Sequence, residues 1–282
     1  MGAMIIDGTK IGNELREKLK GRIATLKARG KVPGLAVILV GDNPASKVYV
    51  RMKEKACESL GIYSEKYALS AQTPQDEVLE LIKRLNQDEK IHGILVQLPL
   101  PDHFNEELII ESIIPTKDVD GFHPINVGNL MLGKALFQPC TPAGVMELLH
   151  SSQIDPKGKN AVVVGRSNIV GKPVAVMLLQ EHATVTICHS RTRSLADETR
   201  RADILIAAIG KPKMITADMV KEGAVVIDVG VNRLPDGSLV GDVDFEGMKD
   251  KVAAITPVPG GVGPMTITML MANTVKSAEL FS

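Results

Sequence analysis

The stretch Ala161-Val162-Val163-Val164-Gly165-Arg166-Ser167-Asn168-Ile169-Val170-Gly171-Lys172-Pro173 decides the fold. A short apolar run ends at Gly165, and a helix pattern starts within a few residues, capped by Lys172-Pro173. A buried parallel strand feeding a helix through a glycine turn is the opening unit of a dinucleotide-binding domain. Glycine lets the backbone approach a diphosphate, and the amino end of the helix favours its negative charge. The spacing departs from G-x-G-x-x-G, so on its own the turn serves equally well as a plain glycine turn in any α/β protein.

The next strand, Thr184 to Cys188, adds information at its end. An NAD site places an Asp or Glu there for the ribose 2′-hydroxyl. This chain instead reads Cys188-His189-Ser190-Arg191-Thr192-Arg193. No acid is present and two arginines are, which suits the 2′-phosphate of NADP. Arg166 in the turn points the same way, although arginines in loops are also commonly just solvated.

Further along, helix Ser194 to Arg200, strands Asp203 to Ile209 and Ala224 to Val229, and a hairpin over Asn232 to Val240 continue the series. Upstream lies a similar one: a helix from Gly8 to Ala28, strand Leu35 to Val40, helix Ala45 to Leu60, strand Tyr63 to Leu69, helix Pro74 to Asn86 and strand Ile91 to Val96. Between Ile114 and Pro142 regularity lapses, and a linking helix runs from Pro142 to His150. A Met-rich helix from Met265 to Phe281 needs apolar cover and is expected to pack on the first domain. The expectation is two α/β domains, the second Rossmann-like, with a cleft between them: residues 4–121 plus 265–282, and residues 122–264.

Composition narrows the partners. Lys and Arg total 33 against 33 Asp and Glu in 282 residues, so no overall field draws a nucleic acid or an anionic membrane. There is no Trp, and few aromatics offer base-stacking platforms. No apolar run approaches the length of about 18 residues that a membrane span needs. Three scattered cysteines, Cys57, Cys140 and Cys188, form no C-x-x-C pair, which fits a reducing cytoplasm. The histidines are scattered too, so no metal is expected. The opening Met1-Gly2-Ala3 reads as a cloning remnant before a native Met4 and is left out of the expected fold.

In the first domain, Tyr49 and Lys53 are one helical turn apart on the helix after Gly41-Asp42-Asn43-Pro44. Gln97 ends the apolar strand Ile91 to Val96, where open α/β sheets bind ligands. Asp118 and Asp120 stand in the boundary loop. Each has a plain alternative: a wet lysine face, a proline-loop tether, a turn acid. As a set they point to one cleft.

Five segments together resemble the bifunctional methylenetetrahydrofolate dehydrogenase/cyclohydrolase family: Tyr49-Val50-Arg51-Met52-Lys53, Gln97-Leu98-Pro99-Leu100-Pro101, Lys117-Asp118-Val119-Asp120-Gly121-Phe122, Gly165-Arg166-Ser167, and Pro257 through Thr266. The resemblance spans almost the whole chain. It implies a homodimer and a folate site between the domains. It implies Lys53 as the main catalytic residue, Tyr49 stacking near the folate, Gln97 supporting Lys53, and Asp120 holding the pterin, with Pro259 and Gly260 also near the substrate. To the cofactor NADP it assigns Arg166, Ser167, Ser190 and Val231, with Thr256 and the Gly260 to Gly263 loop closing over it, and Gly165 and Arg191 join them from the glycine turn and the strand end. The expected substrates are one-carbon derivatives of tetrahydrofolate. A dehydrogenase lacking the hydrolytic step, or a non-catalytic NADP-binding protein, are the competing readings.

Overall fold

The computed structural model describes residues 2–281. In chain order its elements are β1 (Met4–Ile5), α1 (Gly8–Ala28), β2 (Gly34–Val40), α2 (Pro44–Leu60), β3 (Tyr63–Leu69), α3 (Gln75–Gln87), β4 (Gly93–Val96), α4 (Glu106–Glu111), α5 (Pro124–Met131) and α6 (Cys140–Ser151). They continue with β5 (Asn160–Val164), α7 (Gly171–Gln180), β6 (Thr184–Cys188), α8 (Leu195–Thr199), β7 (Ile204–Ala207), a 3-10 turn (Ala217–Met219), β8 (Val225–Asp228), β9 (Asn232–Arg233), β10 (Leu239–Val240), α9 (Phe245–Met248), β11 (Ala254–Ile255) and α10 (Val262–Phe281).

The chain divides into two compact units, Glu14–Cys140 with Ile267–Ser282, and Met1–Asn13 with Thr141–Thr266. The division falls later than the expected residue 121. Residues 122–140 join the first unit because α10 holds them: Asn273 Nδ2 donates to the carbonyls of Val119 at 2.8 Å and Gln138 at 3.1 Å, and Lys276 Nζ to that of Leu136 at 2.6 Å.

The first unit is built on a parallel sheet in the order β3-β2-β4. Strand β2 is apolar throughout because both of its faces are covered. Leu35, Val37 and Leu39 meet Leu19, Ile23 and Leu26 of α1, Val50 and Leu60 of α2, and Leu270, Met271 and Val275 of α10. On the other face Ala36, Ile38 and Val40 meet Val78, Leu81, Ile82 and Leu85 of α3. Each large side chain so buried contributes about 1.5–3 kcal/mol, and α10 packs where its methionines and leucines required cover.

The second unit carries a six-stranded sheet, β1-β11-β8-β7-β5-β6, parallel at every pairing. Val162, Val164, Leu205, Ala207 and Val226 build one core with Ile215, Val220, Val243 and Met248. Two differences from the sequence reading stand out. Strands β1 and β11 are two residues each, too short to carry a pattern. They nevertheless draw Ala3 and Met4 into the fold, since Ala3 N–H donates to Lys249 at 2.6 Å and Met4 pairs with Ala254; Met1 lies outside the described residues. Helix α5 lies inside the stretch expected to be loop. Its cap is His123, whose Nδ1 accepts from Ile125 N–H at 3.1 Å, in place of the Ser, Thr, Asp or Asn that marks a helix start. Among the described residues no helix is long and apolar enough to cross a membrane.

Candidate active site

Lys53 owes its place to the start of α2. Asn43 Oδ1 accepts from the N–H groups of Ala45 at 3.0 Å and Ser46 at 3.1 Å, and Pro44 occupies the first turn, where its missing N–H costs nothing. The helix then runs with Ser46, Val50, Lys53, Ala56, Cys57 and Leu60 inward. Lys53 thus sits on the buried face, only 7% exposed, rather than among the wet lysines of the same helix. Tyr49, half-buried, stands one turn before it.

Gln97 follows the carboxyl end of β4. Its Nε2 donates to Leu98 carbonyl at 2.7 Å, which turns Oε1 toward Lys53, and Lys53 Nζ donates to that oxygen at 3.0 Å. A neutral amide accepts a hydrogen bond from an ammonium or from a free amine alike, so it orients the lysine without fixing its charge. Burial pushes the Lys53 amine below its ordinary range, and the negative charge of Asp120 opposes this only in part. Burial likewise pushes the Asp120 carboxyl up, against the pull of Lys53. The pair is therefore an amine that parts with its proton more easily than usual, beside an acid that holds one more easily.

Asp120 is aimed by its neighbours. Asp118, 2% exposed, accepts from Phe122 N–H at 3.2 Å, His123 N–H at 2.8 Å and Asn126 Nδ2 at 2.8 Å, which fixes the loop Asp118 to His123 around Asp120. Asp118 is thus the turn acid, and Asp120 is not used in that way. Lys53, Gln97 and Asp120 come together in the first unit, with Tyr49 on the adjoining turn.

In the second unit the remaining candidates lie at the carboxyl ends of parallel strands. Gly165 leaves β5 at φ 140°, in a region that favours glycine, and a Cβ there would run into the carbonyl of Ala208. A Cβ on Gly171 would likewise meet the carbonyl of Gly165 at the start of α7. Ser167 Oγ accepts from Val170 N–H at 3.1 Å and Gly171 N–H at 3.2 Å, closing the turn and leaving its own O–H to donate outward. Arg166 and Ser167 are exposed.

After β6, His189 N–H donates to Thr192 Oγ1 at 2.9 Å and His189 Nδ1 accepts from Arg191 N–H at 3.1 Å. This turn leaves Ser190 and Arg191 exposed at the strand end. Val231, 43% exposed, follows β8, and Thr256 follows β11, its Oγ1 accepting from Asp228 N–H at 2.7 Å. Pro259 and Gly260 lie in the loop before α10, in the same unit as the arginines, and Gly260 carbonyl accepts from Thr9 N–H at 3.0 Å. The donor set at this sheet edge fits a dinucleotide phosphate carrying an extra 2′-phosphate: a turn too tight for any side chain, a helix amino end, and arginines after a strand end, Cys188 to Arg193, whose sequence holds no acid.

Profiles of known families match both halves. Residues 6–120 match the profile described as tetrahydrofolate dehydrogenase/cyclohydrolase, catalytic domain, and residues 139–282 its NAD(P)-binding domain. The chain belongs to the tetrahydrofolate dehydrogenase/cyclohydrolase family. Within it, the bifunctional protein FolD of Moorella thermoacetica is 65% identical over 279 residues, 99% of this chain and 100% of that one. A crystal structure of FolD from Campylobacter jejuni, a methylenetetrahydrofolate dehydrogenase/cyclohydrolase, is 56% identical and aligns with a TM-score of 0.96 over 98% of this chain and 99% of its own. FolD of Trypanosoma brucei, solved with NADP and an inhibitor, is 40% identical with a TM-score of 0.95 over 99% and 98%.

Two residues escaped the sequence reading. Asp228 and Asp242, 3% and 0% exposed, sit among the loops that carry Val231 and Thr256. The visible signal was an acid closing the apolar run Val225-Val226-Ile227-Asp228, where a buried strand has no ordinary use for a charge.

Proposed function

We propose that the chain oxidises 5,10-methylenetetrahydrofolate to 5,10-methenyltetrahydrofolate with NADP, and hydrolyses that product to 10-formyltetrahydrofolate. The observation that carries the hydrolytic half is the buried Lys53 amine, held at 3.0 Å by the Gln97 amide and lowered in pKa by its burial. A protonated ammonium beside a cationic methenyl group is disfavoured, which adds to the effect of burial.

Lys53 acts as the general base. Water adds to the methenyl carbon and gives its proton to Lys53 Nζ. The bond from that carbon to one folate nitrogen then breaks: its electron pair goes to the nitrogen, the hydroxyl on the carbon gives up its proton to that nitrogen as the C=O forms, a formyl group remains on the other nitrogen, and Lys53 releases the proton it took to solvent. Gln97 holds Nζ in place during both steps, and Asp120 accepts two hydrogen bonds from the amino group and ring N–H of the pterin. Tyr49, one turn from Lys53, lies against the folate. Bound at the second unit, NADP supplies the hydride acceptor. Gly165, Arg166, Ser167 and Val231 would hold it, Ser190 and Arg191 would take its 2′-phosphate, and Thr256 with Pro259 and Gly260 would border the reacting end.

A coupled spectrophotometric assay tests the reading, with methylenetetrahydrofolate and NADP as substrates and both NADPH and the methenyl chromophore followed. NADPH formation with methenyl decay faster than without enzyme is the expected result. Unaccelerated decay would reduce the chain to a dehydrogenase, and no NADPH would favour a binding protein.

The same reading makes the chain a cytoplasmic homodimer that binds neither nucleic acid nor membranes. Its cysteines are free and its net charge is zero, which supports the compartment and argues against polyanions. Light scattering should give twice the chain mass of 30.3 kDa; a monomer would remove the dimer.

A further inference from the structure

Two buried carboxylates of the second unit take no part in the chemistry above. Asp228 accepts from the backbone N–H groups of Gly230, Asp242 and Val243, each at 2.9 Å. Asp242 accepts from those of Ile209 at 2.5 Å, Gly210 at 2.9 Å and Lys211 at 2.9 Å, and from Asn232 Nδ2 at 2.9 Å. Among the described residues neither is ion-paired with a lysine or arginine. Burying carboxylates side by side costs several kcal/mol before hydrogen bonds offset it. Each carboxylate accepts from three backbone N–H groups that would otherwise lack an acceptor, so the useful property is what the carboxylates hold.

What they hold is the edge of the sheet. Strand order β6-β5-β7-β8 places consecutive strands on opposite sides of β5, so the crevice that receives a dinucleotide opens beside the β5 and β7 exits. The β5 exit is the Gly165 turn. The β7 exit is Ala208 to Lys211, and its Ala208 carbonyl leaves no room for a Cβ on Gly165. Asp242 gathers three consecutive N–H groups of that exit and ties them to Asn232, the neighbour of Val231. Asp228 in turn fixes Asp242 through its backbone, and its own N–H is tied to Thr256. With the 2′-phosphate at Arg191, the adenosine half of the cofactor would lie toward β6, and the other half toward β7 and β8.

We infer that Asp242, locked by Asp228, is a positioning residue that shapes the 209–211 and 230–232 loops to receive the nicotinamide half of NADP. This rests on reading the second unit as the NADP site. It predicts a split that general loosening of the unit would not produce: the nicotinamide half loses affinity while the adenosine half keeps it.

The experiment is calorimetric titration of the full chain and of Asp242→Asn with NADP and with adenosine 2′,5′-bisphosphate, which carries the adenosine half alone. NADP should bind about tenfold more weakly to the variant, equal to about 1.4 kcal/mol, while the bisphosphate binds within about twofold of the unaltered chain. Equal weakening of both ligands, or of neither, overturns the inference. If Asp242→Asn does not fold, Asn232→Ala removes one donor only and should show the same split at about threefold; no split there overturns it as well. An unaltered chain that binds neither ligand would instead sink the NADP site itself.

Discussion

Lys53→Met removes the proposed base while keeping an unbranched side chain of similar length in its place. Lys53 is 7% exposed and its amine donates to Gln97 Oε1, so the substitution loses one hydrogen bond, worth about 1 kcal/mol. It also removes the desolvation of a buried amine, so stability should change by no more than about 1–2 kcal/mol. Activity behaves differently. A positioned general base contributes about 10²–10⁴ in rate, or about 3–5 kcal/mol of barrier. Hydrolysis of methenyltetrahydrofolate should fall toward the enzyme-free rate while calorimetric binding of NADP persists. The pH profile gives a second reading. Lys53 must be neutral to accept a proton, and burial lowers its pKa from 10.5, so the rate of the unaltered enzyme should rise with pH through a value below the ordinary lysine range. Lys53→Met should lack that limb. Urea unfolding checks that the variant is folded, and methenyl decay at the unaltered rate would refute Lys53 as the base.

Gly165→Ala places a methyl against the Ala208 carbonyl at a φ of 140°, so it should weaken NADP by at least about tenfold in calorimetry. Unchanged binding would remove the turn from the site. Arg191→Ala should lower the rate with NADP far more than with NAD, by about tenfold or more for a lost charge-assisted contact; an unchanged preference would acquit Arg191. Asp228 gives a stability prediction: burial raises its pKa from 3.8 to about 6. The folded state therefore holds this proton more tightly than the unfolded chain, and the stability gained is lost as pH rises through about 6. Relative to Asp228→Asn, the unaltered chain should gain about 1–1.5 kcal/mol between about pH 8 and about pH 5 in urea midpoints. A flat or opposite difference would contradict the shift.

Legibility in the sequence followed the physics of each element. Strand β2 was readable because both of its faces are buried, which makes Gly34 to Val40 an unbroken apolar run. Helix α10 was readable, and so was its need for cover, because Leu270, Met271 and Val275 cannot remain wet. Strands β1 and β11 were not, since two residues carry no period and their pairing joins positions some 250 residues apart, Met4 with Ala254. Helix α5 hid behind a histidine cap that propensity does not anticipate.

The same contrast governs the sites. Gly165 announced itself because a turn that rejects a side chain must be glycine in the sequence too. Lys53 was marked only weakly: apart from Tyr49 one turn before it and the motif they share, it stands among Lys47, Arg51 and Lys55 on one helix. Only the packing of α2 turns it inward, and only the amide of Gln97, bent back by its own bond to Leu98, identifies it as the lysine with a partner of neutral charge. Asp228 and Asp242 are a third kind. Their meaning lies in which backbone groups they bind, and the β7 exit that Asp242 gathers, Ile209 to Lys211, lies more than 30 residues away in the chain. A side chain whose work is to hold backbone leaves almost no pattern in sequence, so positioning residues of this sort are where a structure adds most to a reading of the chain.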